Sequence, residues 1–98
     1  MTGDHRVLTL MWEARAPEGR GPDLLEWTRT RATELPDGPS APLRTELFQA
    51  PQDRVLCLTW WRPEDGPDLP ELPEPPPELI TRAVHRWRFE SVEVLAGT

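Results

Sequence analysis

Apolar and polar residues alternate with period two over residues 5–15. Leu8, Leu10, Trp12 and Ala14 fall on one side; Val7, Thr9, Met11, Glu13 and Arg15 fall on the other. That spacing predicts a strand covered on one face only. Pro17, Gly19 and Gly21 break the pattern, and Pro22 suits the first turn of a helix. Asp23 and Glu26 then place negative charge near the positive end of its dipole. Leu24, Leu25, Thr28, Ala32 and Leu35 share one side at helical spacing, with Trp27 at its edge and Arg29 and Arg31 turned outward. Pro36-Asp37-Gly38-Pro39 ends this element. Residues 42–50 and 55–62 read as two strands joined by a turn at 51–53, an antiparallel hairpin. With Gln49 opposite Arg54, Leu47 falls beside Leu56, Thr45 beside Leu58 and Leu43 beside Trp60. The other side then carries Arg44, Glu46 and Phe48 against Thr59, Cys57 and Val55.

Residues 63–77 hold seven of the thirteen prolines and cannot be a regular helix or a central strand. An extended, solvent-exposed segment is expected. It has three readings: a stiff charged linker, a lid with Leu69 and Leu72 folded inward, or a partner-recognising arm built on its repeated Pro-acid-Leu-Pro units. A short helix over 78–83 and a last strand over 84–95 follow. In that strand Trp87 and Phe89 lie on one side, and Val92 and Val94 on the other. The change of phase near Glu90-Ser91 predicts a bulge, or a strand end that pairs with another subunit. The order β-α-β-β-α-β predicts a single α+β, ferredoxin-like domain over residues 1–98. Its four-stranded antiparallel sheet would have spatial order 4-1-3-2, with both helices on one face.

Composition narrows the function. The chain has eleven arginines, no lysine and a net charge of −6. Six acids and no arginine lie between Pro63 and Glu78, so the rest of the chain is balanced. There is no basic stripe of the kind a phosphate backbone requires, which argues against nucleic-acid binding. No apolar run reaches the roughly 20 residues a membrane span needs. One cysteine precludes an internal disulfide, and residues 1–6 show no secretion signal, so a cytoplasmic protein is expected. Two distant histidines and one cysteine match no zinc spacing, and no metal or other cofactor is expected.

Two groups of residues carry candidate chemistry. Trp12, Trp27, Trp60 and Trp87 are expected to meet on the helix-covered face, as a pocket for a flat apolar ligand or as the core of a small domain. His85 shares the phase of Trp87 and is the candidate general base. On the opposite face, Glu13, Arg44, Glu46, Trp61, Arg86 and Arg88 combine charge with one tryptophan, as suits a dimer interface. Cys57 is expected to be buried and inert.

The element order, a strand ending Trp60-Trp61-Arg62 and a last strand reading His85-Arg86-Trp87-Arg88-Phe89 resemble the dimeric α+β-barrel superfamily. Within it, the chain is most similar to small antibiotic-biosynthesis-monooxygenase-like proteins. The resemblance implies a homodimer formed through open sheet faces and a small-molecule pocket between sheet and helices. It also implies either a cofactor-independent monooxygenase acting on an aromatic or quinol-type metabolite, or a non-catalytic binder on the same fold. The chain departs from that pattern in its Pro-rich acidic insertion, its short second helix and its lack of tyrosine.

Overall fold

A computed structural model describes residues 7–65 and 68–95. Four strands, β1 (Leu8–Arg15), β2 (Arg44–Ala50), β3 (Arg54–Trp61) and β4 (His85–Glu90), form one antiparallel sheet in the order β2-β3-β1-β4. Among the described residues one α-helix, α1 (Gly21–Ala32), packs on one face. The expected strand order is therefore present. Residues 5 and 6 of the expected first strand lie outside the described residues.

The second helix is not formed. Residues 77–79 make one 3-10 turn, and the chain from Asp68 to Pro76 has no regular helix or strand. Five prolines between 70 and 77 and their missing amides leave no continuous helical ladder to build. This strap takes the place of a helix. It lies over the same sheet face as α1 and buries Leu69, Leu72, Pro75 and Leu79. Its backbone is tied down by side chains of the sheet. Trp12 donates from Nε1 to the Pro73 carbonyl at 3.3 Å, and Arg86 donates from Nη1 to the Leu72 carbonyl at 2.7 Å. The Val84 amide donates to Glu74 Oε2, and the Thr81 amide to the Arg15 carbonyl at 2.9 Å. Its acids stay outside while its leucines go in.

The hairpin register differs by one residue from the expected one. Ala50 pairs with Arg54, Leu47 with Cys57, Thr45 with Thr59 and Arg44 with Trp60. A slip of one residue exchanges the faces of a whole strand. In β3 it is Val55, Cys57, Thr59 and Trp61 that are buried, while Leu56, Leu58 and Trp60 are half-buried on the other side. Through β1 the covered face gains Ala14, Trp12, Leu10 and Leu8 opposite those four β3 residues. The core there consists of Trp12, Ala14, Ala16, Leu24, Val55, Cys57, Leu72 and Leu79, with a smaller group of Leu10, Trp61 and Leu69. Thr28 is fully buried in α1 and returns its hydroxyl to the Leu24 carbonyl at 2.7 Å. Arg31 does not simply point into solvent, because its guanidinium lies 5.9 Å from the Trp27 ring centre.

Candidate functional site

Around Trp12 and Trp27 the covered face leaves little room for a ligand, while a more open cleft of about 230 Å³ lies farther along it between Pro36, Ser40, Trp61, Leu69 and Pro70. Trp12 and Trp27 are stacked with ring centres 6.2 Å apart. Beside them Leu10, Met11, Leu35, Cys57, Thr59 and the strap residues 70–72 line a void of about 20 Å³. That is space for one water molecule, against roughly 300 Å³ or more for a small-molecule pocket. Of the four tryptophans expected to meet, Trp12 and Trp27 do so. Trp60 and Trp87 project from the opposite face. They could not join the first pair, since Trp60 pairs with Arg44 and Trp87 with Met11 on the other side of the pleat.

Among the described residues, neither helix nor strap lies over that opposite face. Paired positions place Phe48, Leu56, Leu58, Met11, Trp60, Trp87 and Phe89 there. Trp87 is 52% exposed, Phe89 51% and Phe48 38%. Isolated exposed apolar residues are ordinary, but two tryptophans and two phenylalanines on one sheet face form a contiguous patch. Arg44 closes one corner, with its guanidinium 5.3 Å from the Trp60 ring centre and its Nη2 2.7 Å from Glu46.

At the other end of the patch lies a buried carboxylate. Glu13 is only 5% exposed although it sits on the uncovered face. Arg82, from the segment before β4, reaches over it and donates from Nη2 to both carboxylate oxygens at 2.9 Å. Arg54 approaches to 3.9 Å. His85, the Cα partner of Glu13 in the ladder, brings Nδ1 to 3.3 Å from Oε1. The imidazole leans on Trp87, ring centres 5.5 Å apart. A carboxylate beside Nδ1 favours the tautomer protonated there, so that Nε2 is the basic nitrogen. The structure thus brings His85 to Glu13 and Trp87. Sequence reasoning did not single out Arg82 or Arg54 for this site. The available signal was Glu13 itself, a carboxylate in mid-strand that needs a cationic partner.

The residues expected at a dimer interface divide between the two faces. Glu13, Arg44 and Glu46 lie on the uncovered one. Trp61 is 1% exposed in the core, and Arg86 faces the strap, where it meets Glu71 at 3.1 Å. Arg88 pairs with Leu10 and shares its side of the sheet. Cys57 is 2% exposed, and burial pushes its thiol up to about 11. Among the described residues no group of three or more His, Cys, Asp or Glu is placed to hold a metal ion. No helix among them is long and apolar enough to cross a membrane. No family model, curated protein or solved structure matches the chain.

Proposed function

We propose that this chain is a homodimeric binding or accessory protein of the dimeric α+β-barrel kind, and that its uncovered sheet face is the working surface. The observation that carries this reading is the contrast between the two faces. The void beside Trp12 on the covered face is only about 20 Å³, and the other face exposes Trp87, Phe89 and Phe48 around half-buried Trp60, Leu56 and Leu58. Four strands of up to eight residues, at about 4.8 Å per strand and 3.3 Å per residue, present roughly 500 Å² in plan. A second copy offers the same aromatic surface and has the same need to cover it. A ligand handled by this protein would lie between the two faces, its flat body on the tryptophans and its polar end toward His85, Arg54 and Arg82.

Sedimentation of the full chain from 1 to 100 µM tests this. A reversible dimer is expected, and Leu58→Arg or Trp87→Glu shifts it to monomer while leaving the circular dichroism unchanged. A full chain that stays monomeric throughout this range overturns the reading.

The Glu13–His85 pair favours a second reading, a cofactor-independent monooxygenase acting on an aromatic or quinol-type metabolite at that face. In it His85 Nε2 takes a phenolic proton and Glu13 holds the ring. Oxygen uptake with phenol, quinol and anthrone-type compounds tests it. Turnover lost in His85→Ala and reduced in Glu13→Gln is expected. No turnover by an intact dimer removes this reading and leaves the binding one.

A further inference from the structure

We infer that the end of the uncovered face beside the β2–β3 turn is an anion site, and that the protein binds a flat aromatic carboxylate with its acid group between Arg15 and Arg54. The inference rests on the reading of that face as the working surface and names the class of ligand it takes.

The site begins with a pairing that strand ladders ordinarily avoid. Arg15 and Arg54 lie directly opposite each other where β1 meets β3. Like charges in that position repel. Ala14 and Ala16 are buried on the covered side, so Arg15 between them turns to the uncovered one, where it is exposed. Arg82 joins from the segment before β4 through its contact with Glu13. Among the described residues, three guanidinium groups therefore meet at Glu13, and Arg82 already takes both of its oxygens. Asp53 does not make up the deficit, because its oxygens are held by the Gly19 and Gly21 amides.

The donors at this end are also unspent. Arg54 gives Nε to the Pro51 carbonyl at 3.1 Å. Its Nη1 stays 3.9 Å from Glu13, beyond hydrogen-bond length. The Arg15 guanidinium makes no hydrogen bond or ion pair among the described residues. A carboxylate laid between the two arginines would receive charge-assisted bonds from planar forks and relieve their repulsion. Glu13 does not bar it, because that carboxylate is buried beneath Arg82.

The rest of the face sets the body of the ligand. Residues along β1 are about 3.4 Å apart, so the row of Glu13, Leu56 and His85 lies about 7 Å from the two arginines, and the row of Met11 and Trp87 about 14 Å. A ligand with its acid group on the arginines therefore lays its rings over Leu56 and toward the exposed Trp87. A neutral aromatic would leave the arginines uncompensated, and an aliphatic anion would leave the apolar surface bare. A flat aromatic acid satisfies both.

Calorimetric titration of the full chain with 2-naphthoate and with its neutral counterpart, 2-naphthalenemethanol, tests the site. The acid should bind about tenfold more tightly than the alcohol. Added sodium chloride should weaken the acid and spare the alcohol. Arg15→Gln and Arg54→Gln should each lower the affinity for naphthoate about tenfold without changing that for the alcohol. Arg15 is exposed, so its variant keeps the test independent of any effect of Arg54→Gln on folding. Arg29→Gln, at an exposed position on α1, makes the same change in net charge and should alter neither affinity. Equal affinity for acid and alcohol, no binding of naphthoate, or a loss in Arg29→Gln matching that in Arg15→Gln overturns the anion site. Sedimentation judges the dimer separately. A monomer that still binds naphthoate through Arg15 and Arg54 upholds the site and overturns only the dimer.

Discussion

Asp53, in the turn between β2 and β3, accepts hydrogen bonds from the Gly21 amide at 3.1 Å through Oδ1 and from the Gly19 amide at 2.9 Å through Oδ2. Its own carbonyl accepts from the Ala16 amide at 2.9 Å. One residue therefore fixes the loop that aims α1 at the sheet and supplies negative charge at the start of that helix. The contact leaves no room for a side chain at position 21. A Cβ on Gly21 would lie 2.7 Å from Asp53 Oδ1 and 3.2 Å from its Cα. Gly21→Ala is expected to cost about 2 kcal/mol through the forced shift. Asp53→Ala should cost a similar amount, about 2 kcal/mol, through two lost charge-assisted bonds. Urea midpoints check both, and a change below about 0.5 kcal/mol in either would remove Asp53 from this role. Gln52, with φ of 68°, occupies the left-handed region without being glycine. Gln52→Gly is expected to raise stability by about 1 kcal/mol.

Arg82 bridges both oxygens of a carboxylate that water barely reaches. Removing the arginine strands a buried charge, whereas neutralising the acid leaves a half-buried cation that water can still solvate. Arg82→Ala is expected to cost about 2 kcal/mol, reduced from the fully buried case because Arg82 is itself partly exposed. Glu13→Gln should cost less than about 1 kcal/mol. A thermodynamic cycle over the two sites measures their coupling. Equal losses in the two single variants would show that burial of the pair, not the stranded carboxylate, sets the cost.

The strap behaves as core in spite of its composition. Leu72 is 5% exposed and Leu69 8%. Leu72→Ala is expected to cost about 2–4 kcal/mol, as for any large-to-small change in a packed interior. Glu78→Ala, on an exposed residue of the same segment, should stay within about 0.5 kcal/mol. Chemical denaturation separates the two. A Leu72→Ala loss as small as that of Glu78→Ala would return the segment to the status of a linker.

Alternation over β1 was enough to place Leu8, Leu10, Trp12 and Ala14 on the covered face, because Glu13 and Arg15 make the other side distinctly polar. β3 gives no such guide. Val55, Cys57, Thr59 and Trp61 are barely less apolar than Leu56, Leu58 and Trp60, so pattern alone assigns the faces either way. The deciding facts are non-local: pairing with β1, and the reach of Asp53 to Gly19 and Gly21. The site followed from two registers on β1, that of β3 and that of β4. His85 and Trp87 were recognisable as neighbours in phase, but the face they share with Glu13 is set by the register of β4 on β1, and Trp60 joins it through the register of β3 on β1. The strap was legible as neither helix nor strand from its prolines. Its inward leucines were not distinguished from a solvated arm, because spacing in an aperiodic segment does not encode a face.

Cys57 gives the chain a simple alkaline signature. The sequence contains no lysine and no tyrosine. In the alkaline range where lysine and tyrosine would titrate, the cysteine thiol is therefore the side chain that changes charge. Burial raises it from 9.0 to about 11 in the folded protein. Below pH 9 the thiol is protonated in both folded and unfolded chains, and stability does not depend on it. Between about pH 9 and 11 the unfolded chain releases this proton and the folded chain keeps it, so stability falls as pH rises. The full fall is on the order of 3 kcal/mol, because each tenfold change in proton affinity is worth about 1.4 kcal/mol. Urea unfolding of the parent and of Cys57→Ala at pH 8, 9, 10 and 10.5 measures it. The parent should lose stability above pH 9 and the alanine variant should hold level from its own lower starting value. A fall that persists unchanged in Cys57→Ala would place the alkaline sensitivity elsewhere in the chain.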